Sequence, residues 1–299
     1  LNPEHASGMD YAEAGTFIHE VMEYAMKQLY DGTTEKPFYD EAKLHGLVSD
    51  KVHEKVSKLL SRQFIDFKRD NLLIHQYERL GAMAYMMLKS EMDSLSVSSF
   101  VPRAFEWQFS ARGRSDFRPI PLSLSDGTPL FLTGKLDRVD YLRAGDRDYV
   151  RIVDYKTGAS KEFKLKEVRS GEDIQLMLYL FTLCDEVNRV QRPVLPAGAL
   201  YVKPGKDSET GIEHSGIILN EPMILSATDP TAQPLRSNAK KFEGQLLFTE
   251  PQFKDLDQEL REKILEIGEG IHAGRSEKHP DPNHCKNCVM AGRCAEAAI

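Results

Sequence analysis

"RIVDYKTG", residues 151–158, reads as a β-strand of apolar and β-branched residues that stops at a glycine. Side chains alternate faces along a strand, so Asp154 and Lys156 point one way while Val153 and Tyr155 point the other. An anion and a cation are therefore held side by side at the strand tip. An ion pair on a solvated sheet edge is the ordinary account of such a pair, because charged side chains at strand ends are mostly exposed. A chemical site is the other account, and the surrounding stretches decide between them.

Immediately upstream, "TPLFLTGKLDRVDYL" (128–142) reads as a second strand, joined to the first by "RAGDRD" (143–148), which has the composition of a tight turn. Before it, "VPRAFEWQFS" (101–110) alternates Phe105, Trp107 and Phe109 with Glu106 and Gln108, predicting a strand with one apolar and one polar face. Three consecutive strands then bring Glu106, Asp137, Asp154 and Lys156 into one neighbourhood. Further out, "YAEAGTFIHEVMEYAMKQLYDG" (11–32) reads as an amphipathic helix, with Phe17, Val21, Tyr24, Met26 and Leu29 among its apolar positions. Residues 40–98 keep a helical pattern and look like a layer rather than a site. Downstream, 159–173 reads as a loop and 174–187 as a helix with Ile174, Met177, Leu178 and Phe181 on its buried side. "PAGALYVKPG" and "HSGIILN" read as two strands, 226–248 as a long loop, and "QFKDLDQELREKILEIGEGIHAG" as a last helix.

The chain has 299 residues, 41% hydrophobic and 28% charged, enough for one large domain or two small ones. It divides into a helical region (1–100), a core (101–225) and a loop, helix and Cys-bearing tail (226–299), expected to form one integrated domain. No apolar run is long enough to span a membrane. The first residues lack a signal-peptide pattern and do not start with Met, so the chain is expected to be a fragment of something longer. A net charge of −7 exerts no global pull on nucleic acid, so any contact with it needs a local basic patch. No G-x-x-x-x-G-K-[ST] loop is present, so no ATP hydrolysis is expected. Of four cysteines, Cys184 stands alone, while Cys285, Cys288 and Cys294 have the spacing of a metal or cluster site in a reducing compartment.

Hard divalent cations such as Mg²⁺ or Mn²⁺ take oxygen ligands, and carboxylates at the ends of adjacent strands, as at Asp137 and Asp154, can share one ion. Lys156 beside them can polarise water and stabilise charge on a phosphate. Gly15, His19 and Glu23 follow one another at four-residue spacing on a helical stripe. A lone helical His is more often structural than a ligand, but the His19 imidazole can complete such a shell and would favour Mn²⁺. Gly15 near the helix start suggests a close approach to its backbone. Gln175 and Tyr179 share a face, four apart, and Arg138 faces either a phosphate or Asp140. Cys184 is expected to be a small buried residue.

"GTFIHEVME", "GKLDRVD", "VDYKTG" and "QLMLY", in this order and at these separations, resemble the motif series of the PD-(D/E)xK nucleases of the RecB family. With "CKNCVMAGRC" after a terminal helix, the match narrows to the C-terminal nuclease domain of the B subunit of AddAB/RexAB-type ATP-dependent helicase-nucleases; Cas4-like exonucleases are a related plan. The resemblance implies a restriction-endonuclease-like α/β fold: a mixed sheet flanked by helices, with an N-terminal helical region and a C-terminal Cys-rich tail. It also implies a divalent-metal-dependent exodeoxyribonuclease acting on single-stranded DNA in double-strand-break resection and recombinational repair. Its metal ligands would be His19, Asp137 and Asp154 and its catalytic lysine Lys156, with Gln175 and Tyr179 supporting the site and Glu106 on the preceding strand. The partner would be an A subunit in a heterodimer, and the setting the bacterial cytoplasm, with no membrane. Cys285, Cys288 and Cys294 would hold a [4Fe-4S] cluster whose fourth Cys lies upstream of the His-bearing helix. No Cys precedes His19 here, so that ligand is expected to be missing, and a zinc on the three cysteines and His284 is an alternative. A degenerate DNA-binding scaffold is the competing function.

Overall fold

The structure, a computed structural model, describes residues 9, 11–30, 36–61, 67–110, 113, 115–158, 162–188, 193–205, 211–230, 241–242, 245–275 and 285. Three helices come first: α1 (Tyr11–Leu29), α2 (Glu41–Leu60) and α3 (Phe67–Val97). Asp40 caps α2, its carboxylate accepting from the Lys43 N–H at 2.7 Å. Strand β1 (Val101–Phe109) follows, then a short ribbon, β2 (Leu122–Ser123) with β3 (Pro129–Leu130), then β4 (Gly134–Ala144) and β5 (Arg147–Tyr155). Next come α4 (Leu165–Ser170), α5 (Gln175–Cys184), β6 (Val194–Pro204), β7 (Ile212–Leu219), α6 (Pro222–Thr228), β8 (Lys241–Phe242), β9 (Gln245–Phe248) and α7 (Glu250–His272).

One seven-stranded mixed sheet runs β1-β4-β5-β6-β7-β9-β8. β4 and β5 form an antiparallel hairpin whose tight turn follows the Ala144↔Arg147 pair, with Gly145 at φ +63° in its first central position. β5 then pairs in parallel with β6, and the crossover this requires carries α4 and α5. The strand "RIVDY" is thus internal to the sheet, and residues 149–155 are all buried. That rules out the solvated-edge account of Asp154 and Lys156: a strand covered on both faces reads as a continuous apolar run, and its charges need partners.

Helices α1 to α3 cover one face of the sheet. Phe17, Ile18, Val21, Met22 and Met26 of α1 pack with Leu80, Met87 and Leu88 of α3 on Val153, Tyr155 and Val202. Each such large side chain contributes about 1.5–3 kcal/mol on burial. The opposite face holds Val139, Ile152, Leu200 and Ile217 against α5, α6 and α7. α7 starts with a full capping box, Thr249 and Gln252 satisfying each other's backbone N–H. No helix among the described residues is long and apolar enough to cross a membrane.

Four details differ from the sequence expectation. β1 does not keep one apolar face: Phe105 packs with the α1–α3 core while Trp107 and Phe109 pack with the other. The cause is Glu106, whose left-handed φ of +58° turns the pleat over between them. The loop expected over 159–173 contains α4, and the one over 226–248 contains β8 and β9, which add the last two strands at one edge of the sheet. α5 is buried on almost every side, Tyr179 included, because it lies between the sheet and α7.

Candidate active site

The β4/β5 ladder stops at Arg138↔Val153, one pair short of Asp137 and Asp154. There the Tyr155 N–H donates to Asp137 Oδ2 at 2.8 Å in place of a backbone carbonyl, while the Lys156 N–H continues onto Val202 O at 2.8 Å. The strands separate where the two acids sit. On the other side of β4, Phe105↔Arg138 and Trp107↔Leu136 pair, so Glu106 falls opposite Asp137, and its left-handed backbone re-aims its side chain. A non-glycine residue in that region costs about 1–3 kcal/mol, and such strain gathers at functional sites.

His19 reaches this point from α1. Its Nε2 lies 2.7 Å from the Tyr155 carbonyl oxygen and its Nδ1 3.3 Å from Asp137 Oδ1. With no cation bound, the protonated ring donates from Nε2 to the carbonyl and from Nδ1 to Asp137; in the neutral ring the Nε2 donation leaves the Nδ1 lone pair for a metal, which is how metal-binding histidines are commonly oriented. Burial lowers the His19 pKa, but the Asp137 hydrogen bond and the charges of Asp137 and Asp154 outweigh it, and the net shift is upward. Among the described residues, His19, Glu106 and Asp137 offer ligand atoms all within 4.8 Å of one another. They line a cleft of about 370 Å³ with Gly15, Thr16, Glu20, Glu23 and Lys135. Gly15 is not held by close packing: a Cβ there would meet nothing nearer than 3.8 Å, so the glycine opens the cleft instead.

Asp154 and Lys156 share a face as the alternation requires, Lys156 Nζ lying 2.6 Å from Asp154 Oδ2. Asp154 stands outside the closest ligand group, yet burial and the Asp137 charge push its pKa up to about 6 against the pull of Lys156 and His19. Among the described residues, two buried oxygens, Glu106 Oε2 and Asp154 Oδ2, accept no well-aligned hydrogen bond. Each touches an ammonium, of Lys135 and Lys156, without the alignment that would satisfy it. Three carboxylates thus face two ammonium groups and an imidazole, with lone pairs unspent. This donor set of carboxylate oxygens and one imidazole fits a divalent cation such as Mg²⁺ or Mn²⁺.

Gln175 Nε2 donates to Tyr179 Oη at 2.7 Å. Tyr179 packs edge-on to Phe109 and over Gly134, where a Cβ would come within 2.3 Å of its ring. The pair therefore backs the start of β4, three residues before Asp137. Arg138 resolves toward Asp140: its Nε donates to Asp140 Oδ1 at 2.8 Å, and its Nη1 to Glu91 and to Tyr155 Oη. It is 2% exposed and faces no phosphate.

Sequence reasoning missed Tyr201 and Lys135. Tyr201 is the register partner of Asp154 on β6; the Lys156 ammonium stands 5.2 Å over its ring, and its hydroxyl donates to Asp173 at 3.0 Å. Only the parallel pairing of β5 with β6 brings it there, and no local pattern announces that pairing. Of the cysteines, Cys184 packs against the core and burial pushes its thiol pKa up. Cys285 is half-buried and, among the described residues, in no disulfide. Cys288, Cys294 and His284 lie outside the described residues.

Residues 2–295 match the sequence model of the PD-(D/E)XK nuclease superfamily. The chain is 30% identical to the B subunit of an ATP-dependent helicase/deoxyribonuclease from Acetivibrio thermocellus, covering 94% of this chain and 27% of that protein. The protein of the same name in Alkaliphilus metalliredigens is 29% identical over 94% of this chain and 26% of its own length. The chain thus spans about a quarter of the length of these curated relatives.

Proposed function

The chain belongs to the PD-(D/E)XK nuclease superfamily, and on that premise we propose that the cluster at the ends of β4 and β5 hydrolyses DNA phosphodiesters with the help of a divalent cation. The observation that carries this is the pair of buried carboxylate oxygens, Glu106 Oε2 and Asp154 Oδ2, left without a directed hydrogen bond beside His19 and Asp137. Buried acceptors are nearly always satisfied in native proteins, and these two, each held only through an ion pair with a lysine, keep capacity for a ligand.

His19, Glu106, Asp137 and Asp154 would hold the cation. When bound, such an ion polarises a phosphate oxygen and lowers the pKa of water. The chain's own contribution is positional. The Tyr155 carbonyl fixes the tautomer of His19, and the Tyr155 N–H fixes the rotamer of Asp137. Lys156, held between Asp154 and the Tyr201 ring, carries a positive charge to the place where negative charge develops on the phosphate. Gln175 and Tyr179 hold the start of β4 against α5.

The names of the relatives extend the proposal. The chain would serve as the nuclease part of the B subunit of a helicase-nuclease, acting as an exonuclease on single strands in double-strand-break resection. It would work beside an A subunit in the bacterial cytoplasm. Residues 1–100, 101–225 and 226–299 would then be parts of one nuclease domain. Cys285, Cys288 and Cys294 would supply three of the four thiolates of a [4Fe-4S] cluster in the longer protein.

The test is cleavage of linear single-stranded DNA with Mg²⁺ or Mn²⁺, comparing the chain with Asp154→Ala. Cation-dependent cleavage that disappears in the variant is expected. Cleavage that survives Asp154→Ala contradicts the site, and an inert wild type that also binds no cation favours the scaffold function.

A further inference from the structure

Lys135 is the second residue of β4, two residues before Asp137. Its side chain is 59% exposed, yet its ammonium rests on the buried Oε2 of Glu106, a carboxylate whose side chain is only 10% exposed. Lysines usually lay the stem on apolar surface and keep the charge in water. Here the stem is in water and the charge reaches into the cleft. Among the described residues, the other lysines near the cleft are paired with other acids: Lys55 with Glu20 at 2.6 Å, Lys27 with Glu23, and Lys156 with Asp154 at 2.6 Å. Lys135 is therefore the cation that Glu106 meets in this structure, at one corner of the His19, Glu106 and Asp137 group.

We propose that Lys135 and a divalent cation compete for Glu106, and that Lys135, once displaced, holds a backbone phosphate of the substrate strand. The inference rests on the nuclease reading above. Two cations cannot share one carboxylate oxygen without repulsion. The lysine is the one that yields, because its exposed stem swings at little cost and its ammonium regains water. A divalent cation carries twice the charge and needs the oxygen as a ligand. Displaced, the ammonium stays tethered to β4 beside Asp137. The chain's net charge of −7 gives the strand no general attraction, so a local cation released at the site by loading has a function: it couples phosphate binding to cation binding.

The experiment titrates Mn²⁺ calorimetrically, without DNA, into the wild type, Lys135→Ala and Lys135→Arg, with thermal melting to confirm that each is folded. Binding of a labelled single-stranded oligonucleotide in Ca²⁺ is then followed by anisotropy at several salt concentrations, with the strand checked for integrity. Lys135→Ala is expected to bind Mn²⁺ roughly three- to tenfold more tightly than the wild type, and Lys135→Arg close to it. Lys135→Ala is also expected to bind the oligonucleotide several-fold more weakly, with a salt slope reduced by about one. Unchanged or weaker Mn²⁺ binding by Lys135→Ala, or unchanged oligonucleotide binding, overturns the proposal. Failure of both wild type and Lys135→Ala to bind Mn²⁺ overturns the nuclease reading, and this inference with it.

Discussion

Two groups of charges stand on neighbouring residues of β4 and β5, and they are built in opposite ways. In the first, Asp140 accepts from Arg138 at 2.8 Å and from Arg151 at 2.9 Å, and Glu91 of α3 takes Arg138 and, at 3.1 Å, His214. Arg151 also stacks over the Phe100 ring at 4.5 Å. Two carboxylates meet two guanidinium groups, and the acids and arginines are all at most 6% exposed. In the second group, one residue along from Arg138, Asp137 joins Glu106 and Asp154, where acids outnumber ammonium groups and two buried oxygens lack directed hydrogen bonds. Closed networks tie α3 to the sheet; the open one keeps capacity for a ligand. Charge burial alone therefore does not mark a site, whereas unsatisfied burial does.

Substitutions in the two groups should separate activity from stability. The largest effect is expected at Lys156→Ala and Asp154→Ala, each lowering DNA cleavage by about 10²–10³-fold or more. The melting temperature of Asp154→Ala should stay level or rise, since it removes a carboxylate that burial and Asp137 disfavour, whereas Lys156→Ala, which removes a countercharge, should melt at or slightly below the wild-type temperature. A cleavage assay paired with a melting curve reads both, and a large fall in stability for Asp154→Ala would break the contrast.

Next in size, Arg138→Ala and Glu91→Ala should each cost about 3–5 kcal/mol, because the partner charge is left buried and unpaired. Denaturant unfolding measures this directly. The same network gives an acid response. Burial raises the Glu91 pKa, but Arg138 and His214 more than offset this and hold it well below the usual carboxylate range. Its stabilisation is therefore complete above the unfolded value of about 4.3 and is lost progressively as pH falls below it. Glu91→Gln should flatten that part of the stability profile.

A smaller effect is expected at Gly134→Ala, where a Cβ would press on the rings of Tyr179 and Phe109. Overpacking of this kind costs about 1–3 kcal/mol, and cleavage should fall with it as β4 shifts under Asp137. The smallest is at Glu106→Asn, which suits a left-handed φ better and should add up to about 1 kcal/mol of stability while weakening Mn²⁺ binding. Melting and calorimetry on one preparation would show whether the two move in opposite directions.

Much of this contrast was legible in the sequence. Alternation in "RIVDYKTG" placed Asp154 beside Lys156, turn composition in "RAGDRD" placed the hairpin, and helical spacing in "GTFIHEVME" put Gly15, His19 and Glu23 along one cleft. What stayed hidden depends on contacts between distant segments. Glutamate carries no preference for a left-handed backbone, so nothing local foretold the turned pleat at Glu106. Arg138 had two chemically sensible partners, and only the packing of α3 against the sheet brings Glu91 to it across 47 positions. Tyr201 became part of the Lys156 environment through the β5–β6 pairing, which periodicity does not specify. Charge-rich "LKEVRS" reads as loop by composition, yet forms α4 by docking on α7.

The central claim is that the open group exists to hold a divalent cation. An anomalous-difference map from crystals soaked in Mn²⁺ tests it most directly. The expected result is a peak bounded by the His19 imidazole and the carboxylates of Glu106, Asp137 and Asp154, lost in Asp137→Ala. A peak elsewhere, or none at saturating Mn²⁺, would contradict it.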